Sequence, residues 1–489
     1  MRVEVSSADD CMKKILESMG VIPGYQERKD FIFNNATKQA SEIGLVVKRN
    51  ENLLNELVGI VERPLVVVGE FPMEYIESTP DLVLRSVLIS DLRFIPFEKP
   101  DGTLSNRFAL IINGGGNLEK TTMAGEMKVL LGKLSDAKFF FEKDRQKKLE
   151  DYRDALSGIA FIKGLGTIED KTERLVKISS DLSKFSDEKV VDLERSASLS
   201  KLDLATSLVR EHDELQGEIG GLYASLDGEN REISKAISQH YLPATETDIL
   251  PETKTGQMLS LIDKTDSLVN LISAGSIPKG SADPLGVRRF ATNIIRILID
   301  GDIDENFEEL IKVCLGYSIK KSETAFEDIV AFIKPRLEKI LKDKGHKYDV
   351  VRASISDDIS NIKDAERKCI AISAIYQKEE FTRIVETAKR LRNILKDWES
   401  IDFDCELFEN GTEKEFAASA KSIFEKIDSA EFFEDKLNLL FELVGPADKY
   451  FEEILVNAED EKIRNNRKNF LSWVLLGMFK ISDFTAIAI

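Results

Sequence analysis

The sequence predicts a mainly α-helical, multidomain protein whose only α/β portion lies in its first quarter. The 489 residues exceed what one hydrophobic core organises, since single cores seldom grow beyond about 250–300 residues. Hydrophobic residues make up 42% and charged residues 32%, with 12 Pro and 28 Gly, which is the profile of a folded globular chain. Strand signals nearly vanish beyond Glu126, where apolar residues recur at i, i+3, i+4 and i+7.

In chain order, Tyr25 to Leu45 sets apolar positions among many charges, as a surface helix does. Pro64 to Phe71, Leu84 to Ile89 and Arg107 to Asn113 read as strands, and Pro100-Asp101-Gly102 between the last two is a turn in which Gly supplies φ > 0. Residues 1–125 are therefore an α/β portion with an antiparallel ribbon. Amphipathic stretches follow over Lys133–Leu156, Ile168–Phe185, Lys201–Leu215, Met258–Leu271 and Pro284–Leu298, with the loop at 278–281 separating the last two. These define a helical segment 126–300. Further helical zones run from Phe307 to Leu341 and from Asp357 to Trp398, and three more close near Phe479, giving segments 301–376 and 377–489. No repeat of fixed period is present.

Several function classes are disfavoured. A formal net charge of −19 argues against a surface that attracts nucleic acid everywhere, while leaving room for local basic patches. Cys11, Cys314, Cys369 and Cys405 form no CxxC pair, so neither a zinc site nor a disulfide framework is expected. MRVEVSSADD has no secretory n- and h-regions, and the apolar run Phe470–Phe479 is too short to span a bilayer, so a cytoplasmic protein with no membrane role is expected. Gly125 to Gly132-Lys133 has six intervening residues where a phosphate loop needs four. Gly114-Gly115-Gly116 lacks dinucleotide-binding spacing and reads as a turn. With only His212, His240 and His346 available, the His212-Asp213 doublet lacks partners for a metal site, and His212 reads as a solvated helix-end residue. No catalytic, cofactor-binding or metal residue is assigned.

Several blocks carry a family resemblance: Leu134-Ser135-Asp136-Ala137-Lys138-Phe139-Phe140-Phe141; Leu165-Gly166-Thr167 with Asp170-Lys171-Thr172-Glu173-Arg174; KLDLATSLVREHDELQG from Lys201; and His240-Tyr241-Leu242-Pro243. Leu261-Ile262-Asp263-Lys264-Thr265-Asp266-Ser267-Leu268 then runs into Pro278-Lys279-Gly280-Ser281-Ala282-Asp283-Pro284-Leu285-Gly286-Val287-Arg288-Arg289, and Ala388 to Leu395 and Val456 to Arg467 follow in order. This collinear set resembles the β subunit of bacterial heterotetrameric (α2β2) glycyl-tRNA synthetase. The resemblance implies a central HD-like helical domain with its hydrolase histidines lost and Asp263 left of the metal pattern, a helical linker, and a C-terminal anticodon-binding helical domain. It also implies that ATP, Mg and glycine are handled by the α subunit, so that this chain holds no cofactor and its partners are the α subunit and tRNA(Gly). Two departures stand out. The resemblance leads one to expect N-terminal domains of the family ahead of this sequence, either removed or lost, and Asp91-Leu92-Arg93-Phe94 stands where the family has a Gln-Lys-Tyr-Phe stretch.

The tRNA-binding candidates are Lys279, Arg288 and Arg289 at a loop and helix start, Arg390 and Arg392 on a later helix, and Arg464, Asn466 and Arg467 near the end. Arg pairs with phosphate or base edges through a planar fork, and a helix start preceded by Pro284 attracts anions. For Arg288 and Arg289 the competing reading is a salt bridge to Asp263 or Asp266; for Arg390, Arg392, Arg464, Asn466 and Arg467 it is a solvated helix face. Two other functions compete with the tRNA-binding subunit: a metal-dependent HD-type phosphohydrolase and a helical scaffold that binds no RNA. A chain ending near Tyr376 is expected to stay folded.

Overall fold

The computed structural model describes residues 7–9, 16, 19–114, 118–185, 192–280, 282–301, 303–355 and 359–488; Cys11, Gly115, Gly116, Ser281 and Asp357 lie outside them. The chain is mainly helical and forms two compact units, Met1–Ile159 with Leu199–Ser234, and Ala160–Ser198 with Lys235–Ile489, a division that cuts segment 126–300.

In the first unit, strands β1 (Pro64–Glu70), β2 (Ile95–Glu98) and β3 (Leu104–Asn113) form an antiparallel sheet in the order β1-β3-β2, with Val66 opposite Ile111 and Ile95 opposite Ala109. Helices Tyr25–Glu42 and Glu51–Ile60 share a core with it. Ile32, Ala36 and Ala40 recur every fourth residue, so one helix face meets Leu53, Leu57, Phe97 and Ala109. The 100–102 turn closes the ribbon, with Gly102 at φ +86° and the Lys99 N–H donating to Thr103 O at 2.8 Å.

Leu84–Ile89 is not a strand. It spans the end of helix Asp81–Ser86 and the wider helical turn Val87–Asp91. Pro80, at φ −57°, sets the chain into a helix whose first turn carries Asp81, and Val83, Leu84, Val87 and Leu88 are buried at spacings of three and four. The ribbon partner of β3 is β2 instead. Arg93 sits at φ +55°, which brings the Phe94 ring parallel to Phe108 at 4.7 Å. A Cβ on Gly69 would lie 2.4 Å from that Phe108 ring. The Asp91–Phe94 stretch therefore packs this ring stack.

Lys201–Leu215 is also not one helix; it is three short turns, Leu202–Ala205, Ser207–Glu211 and Asp213–Leu215. Two buried carboxylates interrupt it. Asp144 accepts from Ser207 N at 2.8 Å and Leu208 N at 2.9 Å, and Asp203 accepts from Gly217 N at 2.5 Å and Gly220 N at 3.2 Å. Each supplies an acceptor to N–H groups that a helix start would otherwise leave orphaned.

The second unit has one continuous core running from Leu165 to Ile487. Its axis is helix Lys254–Ser273, buried on every face among Ile168–Phe185, Val287–Asp300, Phe307–Tyr317 and Ala325–Asp343. Helices Ile362–Ile375, Glu379–Leu395, Gly411–Ser429, Phe433–Glu453 and Glu461–Phe479 extend the same core. The chain end folds back: Asp483 N donates to Ala353 O at 3.0 Å, and Tyr376 Oη donates to Asp349 at 2.6 Å and to Ala488 O at 3.3 Å. Residues 301–376 and 377–489 thus bury apolar surface against each other, which argues against the expectation that a chain ending near Tyr376 stays folded.

Candidate nucleic-acid interface

The block Leu261–Leu268 places Asp263, Lys264 and Asp266 inside a fully buried helix, where an unpaired charge is costly. Lys171 Nζ lies 2.8 Å from Asp263 and 3.4 Å from Asp266 and donates to Ser267 Oγ at 2.6 Å; it also sits over the Phe161 ring at 4.5 Å. Arg174 grips Asp266 through Nε at 2.8 Å and Nη2 at 3.0 Å. Lys171 and Arg174 are three apart on helix Ile168–Phe185, so one face carries two cations to meet two carboxylates. Lys264 turns the other way and donates to the carbonyls of His240, Tyr241 and Leu242 at 3.3, 3.1 and 3.0 Å. It ties down the His240–Pro243 block, whose Leu242-Pro243 bond is cis.

The partners of Asp263 and Asp266 are therefore Lys171 and Arg174, not Arg288 or Arg289. Lys171 and Arg174 both fall within Asp170–Arg174, and their three-residue spacing matches that of Asp263 and Asp266. Arg288 instead donates to Pro278 O and Ala282 O, each at 3.2 Å, and to Gly280 O at 2.5 Å, so it staples its own loop. The helix start at Val287 is occupied by Asp283, whose carboxylate accepts from Val287 N and Arg288 N at 2.9 Å. The anion site expected there is filled from within the chain. Lys279 and Arg289 remain exposed on either side of it.

Of the later candidates, two are internal. Arg467, 7% exposed, donates through Nε to Glu413 at 2.7 Å and through Nη1 to Leu455 O at 3.1 Å; Glu413 is fully buried and also accepts from Glu409 N and Asn410 N at 2.9 Å. Hydrogen bonding to Glu413 raises the Arg467 pKa further. Asn466 clamps a loop, accepting from Asp404 N at 2.7 Å and donating to Asp404 O at 3.0 Å. These residues are not on a solvated face. Arg464 donates to Ala458 O at 3.1 Å and is half-buried. Arg390 and Arg392 are exposed, Arg390 over the Phe451 ring at 4.2 Å and Arg392 5.9 Å from that of Phe479.

His212 is buried, not solvated. Its Nδ1 lies 3.5 Å from Ser86 Oγ and 3.8 Å from Asp91, and Ser86 in turn donates to Glu214. His240 Nδ1 lies 2.6 Å from Ile237 O. Among the described residues no three His, Cys, Asp or Glu side chains gather as metal ligands would.

Residues 1–356 match the family described as "Glycyl-tRNA synthetase beta subunit". The chain is similar to proteins named glycine-tRNA ligase beta subunit: 34% identical to that of Persephonella marina, over 98% of this chain and 70% of the relative; 35% to that of Clostridioides difficile, over 99% and 71%; and 36% to that of Aquifex aeolicus, over 98% and 69%.

Proposed function

The chain belongs to the glycyl-tRNA synthetase beta subunit family, and from that premise we propose that it is the tRNA-binding subunit of a glycine-tRNA ligase, acting with an α subunit in an α2β2 assembly in the cytoplasm. ATP, Mg and glycine are held at the α subunit, where glycine is joined to tRNA(Gly). The observation that carries the division of labour is the closed charge cluster of Lys171, Arg174, Asp263 and Asp266. Its two carboxylates are each met by a cation at 2.8 Å, so the cluster is charge-matched from within the chain. A phosphohydrolase would need Asp263 to ligate a divalent ion, where the Lys171 ammonium now lies. Among the described residues no helix is long and apolar enough to cross a membrane.

Among the sequence candidates, the exposed cations Lys279, Arg289, Arg390 and Arg392 are the groups left for RNA contact, with anticodon reading assigned to the helices of 377–489. Glycine-dependent ATP–pyrophosphate exchange tests the division of labour. The chain alone is expected to give no exchange and the chain with α subunit to give it; robust exchange in a preparation free of α would overturn the proposal.

A further inference from the structure

We propose that a cavity of about 610 Å³ in the second unit receives one unpaired nucleotide of a bound RNA, an inference that rests on the tRNA-binding reading above. Four cations line it, Lys334, Arg352, Lys368 and Arg392, against two carboxylates, Glu338 and Asp483. Glu338 lies 3.4 Å from Lys342, and Asp483 accepts from Thr485 N at 3.0 Å and Thr485 Oγ1 at 2.5 Å while keeping its charge, so the lining holds a formal excess of two cations. The cavity is thus locally positive in a chain of net charge −19, which marks it as a place for an anion.

The walls select among anions. Pro335, Ile355 and the half-buried Phe479 supply an apolar side, and the Arg392 guanidinium lies 5.9 Å from the Phe479 ring centre. A base resting on Phe479 therefore keeps its own phosphate within reach of Arg392 and Arg352, whose forks pair with phosphate oxygens. A free phosphate has no use for the apolar side. A duplex cannot enter, because its bases are stacked inside it; an unpaired nucleotide of a loop or end can be splayed into a cavity. The volume falls within the roughly 300–1,000 Å³ usual for small-ligand sites.

Helices from both sides of residue 376 build this cavity: Ala325–Asp343 and Tyr348–Ser354 carry Lys334 and Arg352, and Glu379–Leu395 carries Arg392. Of the sequence candidates only Arg392 reaches it. Arg352 belongs to no resemblance block and became visible only through its position.

The test compares wild type, Arg352→Gln/Arg392→Gln and Phe479→Leu in filter binding to tRNA(Gly) across a salt series, with the α subunit present. Arg352 and Arg392 are exposed, so their replacement should leave thermal unfolding unchanged. The double variant is expected to bind about tenfold or more weakly, with a log–log salt slope flatter by about 1–1.5. Phe479→Leu is expected to weaken binding without changing the slope. If wild type binds and both variants match it in affinity and slope, the cavity assignment falls while the tRNA-binding reading stands. If wild type binds no tRNA(Gly), both fall. If the double variant loses capture of the α subunit but keeps RNA affinity, the occupant is an acidic protein segment and the RNA assignment is wrong.

Discussion

At Arg467 the chain places a guanidinium against a carboxylate that has no exposure at all, and the consequence is structural. Arg467→Ala leaves Glu413 buried without its cation, so a loss of about 3–5 kcal/mol is expected in denaturant unfolding. A stable Arg467→Ala variant with altered tRNA selectivity would instead put Arg467 in the interface. Asp203 offers a pH test. Burial raises its carboxyl to about 6, although the N–H groups of Gly217 and Gly220 pull the other way. The usual value is about 3.9, so the folded state holds the proton more tightly than the unfolded one. Its contribution is full below about pH 4 and is lost as pH rises through about 6, by up to about 3 kcal/mol. Asp203→Asn should flatten the unfolding midpoint between about pH 4 and about pH 6, the window those values define. An unchanged pH profile would show that Asp203 ionises freely.

The loop before helix Val287–Asp300 separates two kinds of arginine that look alike in sequence. Arg288 holds three loop carbonyls, whereas Arg289 and Lys279 face solvent. Arg288→Ala is expected to lower thermal stability, with any loss of RNA binding following from the loosened loop. Lys279→Ala with Arg289→Ala should leave stability unchanged and flatten the salt dependence of tRNA binding by about 1–2 in slope. The reverse pattern in melting and filter-binding curves would exchange their roles. Much at this scale was legible beforehand, because long amphipathic helices announce their period over many turns. The six-residue run Leu84–Ile89 was too short to tell a strand from a buried helix end, and the four-residue β2 holds no alternation to read. Lys201–Leu215 carried helical spacing, but its course is set by the buried carboxylates of Asp144 and Asp203. The charge cluster was half legible. Asp263 and Asp266 stood out in an apolar helix, but their partners come from 92 residues earlier in the chain, and only the fold supplies that pairing.

On the scale of the molecule, the second unit's single core runs through every α-helix from Lys254 onward among the described residues, so removing 377–489 should expose apolar surface and give aggregated protein in place of a folded fragment. A monodisperse, cooperatively melting chain ending at Tyr376 would contradict that. The function proposed above rests, at this scale, on partition: chemistry in a partner and RNA contact on this chain. The direct measurement is filter binding of tRNA(Gly) and an anticodon-swapped tRNA to the purified chain, with and without α subunit. Salt-dependent binding that prefers tRNA(Gly) and tightens when α is present is the expected result. A chain that binds neither tRNA under either condition, while still joining α, would be a scaffold and not the RNA-binding subunit proposed above.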